Sequence, residues 1–181
     1  MKTQQTVPPI PSSVPTPESA WAYMQECNRF LTEKFAETDK KISKILGEWS
    51  NNFGQITEEY FFNSFEKGQK NFFGERFDDI KKNLKGAETD DEYDILLING
   101  ESLGIIEVKF KAHKNDIEVV LKKAETFRIN FPKYSNHKIY LGLASMSFYP
   151  ELELACKENG IAVIKQVGDT VVIIDEGLKA Y

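Results

Sequence analysis

Within EYDILLINGESLGIIEVKFK (92–111), three charged side chains interrupt strand-like apolar runs. Asp94 lies near the start of the first run, and Glu107 and Lys109 lie near the end of the second. Side chains alternate along a strand, so Glu107 and Lys109 share one face. Asn99-Gly100 is a turn signal, and folding the hairpin about Gly100-Glu101 sets Asp94 opposite Glu107. Cross-strand partners have Cβ atoms about 4.5–5.5 Å apart. Two carboxylates that close raise each other's pKa, and a cation between them removes the cost. Hard carboxylate oxygens suit Mg2+, which polarises phosphoryl oxygens and makes a bound water more acidic. Lys109 would orient that water or stabilise charge developing on a phosphate. The same three residues also suit the solvent face of an edge hairpin, and spacing alone leaves both readings open.

The elements that must hold these residues follow from pattern and punctuation. Gly54 breaks a preceding helical pattern, and Gln55 to about Lys67 reads as a separate helix rich in Phe and Tyr. Arg76–Leu84 is a weak, polar strand-like stretch. Glu92–Ile98 and Ser102–Phe110 are strands. Ile117 to about Phe131 is an amphipathic helix stopped by Pro132, and Lys138–Ser145 is a buried strand. Pro150–Asn159 is a helix closed by Gly160. Ile161–Gln166 and Thr170–Asp175 are strands joined at Gly168-Asp169. This order predicts an α/β domain over 53–181, with a mixed sheet and helices on both sides.

The Asp94…Glu107-Val108-Lys109 pattern, with a helix before and after it, resembles the core motif of the PD-(D/E)XK nuclease superfamily. The chain resembles more closely a group of uncharacterised bacterial proteins within it. These carry an N-terminal coiled coil ending in ETDKKI-like repeats, followed by a Gly-x-x-x-Glu helix. The matching stretches are ETDKKISKILGEWSNNFG (37–54), Gly54 to Glu58, EYDILLING and IIEVKFK. Together they span about residues 30–175. The resemblance implies a restriction-endonuclease-like α-β-β-β-α-β core and Mg2+ (or Mn2+)-dependent cleavage of phosphodiester bonds. It implies Asp94, Glu107, Lys109 and Glu58 as catalytic residues, with Asp94, Glu107 and Glu58 on the metal. The helical pattern agrees for Glu58, which shares a face with Phe61, Phe62 and Phe65, whereas Glu59 turns toward Asn63 and Glu66. A carboxylate on an apolar face needs a partner, either a cation such as Lys109 or a metal. The chain departs from the pattern on the helix after Lys109, which offers Glu118, Lys122 and Lys123 but no glutamine. Those lysines either contact phosphate or solvate the helix.

Upstream, residues 1–17 hold five of the seven prolines and read as a disordered or polyproline-like tail. Residues 18–52 read as a coiled-coil helix. Trp21, Asn28, Phe35, Ile42 and Trp49 recur every seven residues, and Met24, Leu31, Thr38 and Ile45 form the second series. This a/d seam predicts self-association as a homodimer or higher oligomer; the other reading is an amphipathic helix folded back on its own domain. Polar Asn28 at an a position favours a two-stranded coil.

The composition bounds the partners. The 181 residues carry a net charge of -5, which argues against a protein that coats DNA nonspecifically. A local patch remains available, since residues 107–138 carry eight Lys/Arg against four Asp/Glu. No apolar run is long enough to span a membrane. Two distant cysteines and the absence of a signal-peptide pattern predict a cytoplasmic protein. His113, His137 and the acidic run 88–92 read as surface features. The expectation is a metal-dependent nuclease acting on DNA as a coiled-coil dimer. Its rivals are a non-enzymatic interaction module on the same fold and nucleic-acid binding without cleavage.

Overall fold

The computed structural model describes residues 16–68 and 71–181, so nearly all of the expected N-terminal tail lies outside the described residues. The chain divides into two compact units at the Asn51–Asn52 junction. Helix α1, Pro17–Lys67, supplies nearly all of the described first unit and opens the second.

In the first unit, α1 starts where its sequence has a capping residue followed by proline. Thr16 takes the Ser19 N–H on its hydroxyl at 3.3 Å and the Ala20 N–H on its carbonyl at 2.9 Å. Pro17 follows at the position where a missing N–H costs nothing. The expected break at Gly54 is absent, and the helix runs through both Gly47 and Gly54. Glycine costs about 1 kcal/mol in a helix interior, a penalty that good helix-formers on either side outweigh.

In the second unit, six strands form one mixed sheet in the order β3 (Asp79–Lys85), β4 (Glu92–Ile98), β5 (Ser102–Lys109), β6 (Lys138–Ser145), β7 (Ile161–Val167), β8 (Thr170–Ile174). β3, β4 and β5 form an antiparallel meander, and β5, β6 and β7 are parallel. Helices α2 (Asp116–Asn130) and α3 (Pro150–Glu158) make the two crossovers, and β8 closes the sheet antiparallel. A short hairpin of β1 (Asn71–Phe72) and β2 (Glu75–Arg76) precedes the sheet. Pattern reading does not foresee it, because two-residue strands have no periodicity to read.

Both faces of the sheet are covered. On one, Val120 and Phe127 of α2 and Leu152 and Cys156 of α3 pack on Leu103, Ile105, Leu141 and Leu143. On the other, Phe61 and Phe65 from the end of α1, with Phe72, cover Ile95, Leu97, Ile106 and Ile164. Phe72 lies against two glycines of the sheet. A methyl group at Gly104 would come 2.8 Å from its ring, and one at Gly142 would come 2.9 Å from Ile164 Cδ1.

Candidate active site

The hairpin register is the one a two-residue turn at Gly100-Glu101 dictates. Asn99 accepts both the Glu101 and Ser102 N–H groups on its side chain, and Ile95 faces Ile106. One further step puts Asp94 across from Glu107, but the backbone ladder stops at Ile95. Instead the Asp94 carboxylate (Oδ2) accepts the Val108 N–H at 2.7 Å. The ladder on the other side skips the same level. Lys82 pairs with Ile95 and Leu84 with Tyr93, while Asn83 between them sits at φ 52°. Strand alternation slips accordingly: Tyr93 packs with the α2 core, and Ile95 packs with the Phe61 core. At this irregularity Asp94 turns toward β5, where its carboxylate meets the Val108 N–H. Left-handed backbone at a non-glycine residue is costly, and asparagine tolerates it better than most residues.

Glu107 is 4% exposed, and two ammonium groups hold it. Lys109 Nζ lies 2.6 Å from Oε1, and Lys123 Nζ from α2 donates to Oε2. Lys123 is itself buried and also donates to the Glu92 carbonyl at 2.6 Å. Behind it, the Tyr93 hydroxyl bonds Thr126 at 3.0 Å and Asn130 at 3.0 Å, clamping α2 to β4. Ser145, the neighbour of Lys109 in the parallel ladder, is fully buried. Its hydroxyl accepts the Ala112 N–H at 3.0 Å and the Ser147 N–H at 3.2 Å, fixing the chain as it leaves β5 and β6.

The electrostatics follow from this crowding. Burial, then the charge of Glu107, pushes the Asp94 carboxyl up to about 7, against the pull of Lys123, the Val108 N–H and Lys109. Burial works against the Lys109 ammonium, but Glu107, Asp94 and Asp116 outweigh it and hold its pKa above the ordinary lysine value. Glu58 is half-buried near the end of α1. Burial, then the charges of Glu92 and Glu107, raises its carboxyl, while Lys109 and a hydrogen bond from Asn83 oppose the rise. Glu58 is therefore within electrostatic reach of the Asp94–Glu107–Lys109 group but has no salt bridge among the described residues, to Lys109 or otherwise. Glu59 faces away and pairs with Lys82 at 2.5 Å.

Asp94 should give stability a distinctive pH dependence. Between its ordinary value of 3.8 and about 7, the folded chain holds a proton that the unfolded chain has released. Its contribution to stability therefore falls as pH rises through that window. Asp94→Asn removes this term, so urea unfolding should show the variant gaining on the wild type from about pH 4 to about pH 7 and no further above that. A stability difference that stays constant with pH would show that Asp94 is an ordinary carboxylate.

Sequence reasoning misread Lys123, which neither solvates the helix nor is free for phosphate but is buried on Glu107, and it missed Asn83. Lys123 interrupts the apolar stripe of Val120, Ala124 and Phe127, and a charge in such a stripe signals a buried partner. Asn83 has no signal beyond being an asparagine inside a strand. His113 and the acidic loop have local roles: the His113 N–H donates to Asp116 at 2.7 Å, and Thr89 bonds Asp91 at 3.0 Å. Among the described residues, no three His, Cys, Asp or Glu side chains stand close enough to form a ready-made metal cage. The groups in direct contact with the Glu107 carboxylate are two lysines.

No protein-family model, no curated protein and no solved structure matches this chain. The functional reading therefore rests on the residues just described and on the motif resemblance.

Proposed function

We propose that this chain is a metal-dependent nuclease of the PD-(D/E)XK type that cleaves phosphodiester bonds in DNA. The observation that carries the proposal is the meeting of Asp94, Glu107 and Lys109 at one end of the sheet, with Glu58 in electrostatic reach. The run from the end of α1 through β3–β4–β5, α2 and β6 supports a restriction-endonuclease-like core.

The donor chemistry suits a hard divalent cation: Asp94, Glu107 and Glu58 offer only carboxylate oxygens, and the Glu107 charge that raises the other two carboxyls is what such a cation would relieve on drawing them together. Mg2+ or Mn2+ held there supplies Lewis-acid polarisation of a phosphoryl oxygen. The protein's own groups do the rest. Lys109, a third exposed and firmly protonated, donates to the attacking water or to charge developing on the phosphate. Lys123 holds Glu107 in its rotamer from behind. Exposed Lys111, Lys114 and Lys122 supply positive charge for a nucleic-acid backbone. Self-association through the α1 seam presents two such sites.

The reading includes a cytoplasmic location. Both cysteines are free, and burial pushes the Cys156 thiol up to about 11, which keeps it unreactive. Among the described residues, no helix is long and apolar enough to cross a membrane.

One observation favours the rival, a non-enzymatic interaction module: Lys109 and Lys123 already neutralise Glu107. Thermal unfolding separates the two. Millimolar Mn2+ should raise the Tm of the wild type by several degrees and leave Glu107→Ala unmoved. Equal responses, or none, would favour the interaction module.

A further inference from the structure

The first unit leaves one surface unexplained. α1 is a single uninterrupted helix across the seam, and Leu31, Phe35, Ile42, Ile45 and Trp49 stand about half or more exposed along it. With exposed Trp21 and Met24, and with polar Asn28 and Thr38 in the series, they complete a 3-4 spacing over four heptads from 21 to 49, about 42 Å of helix. A stripe this long and this apolar calls for a partner with the same period, and a second copy of this helix has it.

The polar positions choose the orientation. In a parallel, in-register pair every a residue meets its own copy, so Asn28 faces Asn28, an arrangement that selects two strands. Position g of one helix then flanks position e of the next heptad on the other. That sets Lys34 beside Asp39 twice, once on each side of the coil. The remaining flanking pairs within 21–49, Cys27 with Thr32 and Lys41 with Leu46, include no like charges. The intrahelical pairs permit this. Glu37 has Lys41 at 3.1 Å as well as Lys34 at 3.2 Å, so Lys34 can turn outward. Asp39 makes no salt bridge among the described residues, which leaves its carboxylate available. The antiparallel arrangement that matches polar with polar, Asn28 against Thr38, brings Lys34 against Lys34. Sliding that arrangement by one heptad opposes Asn28 to Leu31 or Ile45.

We propose that residues 21–49 form a parallel, in-register, two-stranded coiled coil with a second copy of this chain, set by Asn28–Asn28 and Lys34–Asp39 pairs between copies. This builds on the self-association in the reading above and is independent of the chemistry at Glu107. Both Asn51–Asn52 junctions then leave the coil at the same end.

The test uses the full chain. Light scattering should give twice the 20.7 kDa chain mass. In a Cys27→Ser/Leu31→Cys variant treated with oxidised glutathione, most of the protein should become a disulfide-linked dimer, because a d position of a parallel pair faces its own copy. Cys27→Ser/Lys40→Cys, on the outer face, should stay unlinked. Asp39→Lys should weaken the dimer about fivefold, and adding Lys34→Glu should restore it. Circular dichroism should show helix content unchanged in each variant. A monomeric or trimeric mass would overturn the proposal. So would a dimer in which the Leu31→Cys thiols stay unlinked, with mixed disulfides forming only between Leu31→Cys and Phe35→Cys chains. Absence of DNA cleavage would bear on the nuclease reading and leave this one standing.

Discussion

Replacing Lys123 by alanine should lower the stability of the folded chain by about 3–5 kcal/mol, the usual cost of stranding one member of a buried ion pair. The Glu107 carboxylate has almost no access to water, and Lys123 supplies one of its two cations from inside α2. Removing it also leaves the Glu92 carbonyl without that donor. For a chain of this size the loss corresponds to a fall of about 10 °C in Tm. The double variant Glu107→Gln/Lys123→Met should recover most of it, since neither buried charge then remains. If Lys123→Ala unfolds like the wild type, the Glu107–Lys123 pair is solvated rather than buried.

Replacing Lys109 by alanine should act in the opposite sense, with a small effect on stability and a large one on chemistry. Its side chain is 37% exposed, so water can take its place on Glu107. Its ammonium is the group best placed to meet an attacking water or a developing phosphate charge. Losing one such preorganised donor typically costs about 10²–10³ in rate. Metal-dependent cleavage by Lys109→Ala should fall by that factor, while Mn2+ still raises its Tm. Cleavage at the wild-type rate would remove Lys109 from the mechanism. Loss of the Mn2+ response as well would assign it to building the site rather than to the reaction.

The coarse architecture was legible because the strands that form it are bounded by strong punctuation. β4 and β6 match the predicted Glu92–Ile98 and Lys138–Ser145 to the residue. Asn99-Gly100 fixes one end of β4, and the apolar run in KIYLGLAS marks β6. The hairpin register was also legible, since a two-residue turn leaves one solution for a strand buried on both faces. What the pattern could not show depends on departures from ideal geometry. The polar stretch around Arg76 resolves into β2 and an edge strand, β3, whose exposed lysines hide its periodicity. The left-handed Asn83 and the slip between Tyr93 and Ile95 turn Asp94 toward the Val108 N–H, and neither has a sequence signature. Lys123 looked like a choice between phosphate contact and solvation. It is buried because α2 presents it to the sheet face that carries Glu107. The expected break at Gly54 overestimated a single glycine against its helix-forming neighbours.

The central claim is metal-dependent phosphodiester cleavage at Glu107 and Lys109. Its most direct test is to incubate the purified protein with supercoiled, linear and branched DNA, with and without Mg2+ or Mn2+, beside a Glu107→Ala/Lys109→Ala variant. The expected result is cutting by the wild type only, only with metal, and none by the variant. No cutting of any substrate would contradict the claim, and equal cutting by the variant would contradict the assignment of the site.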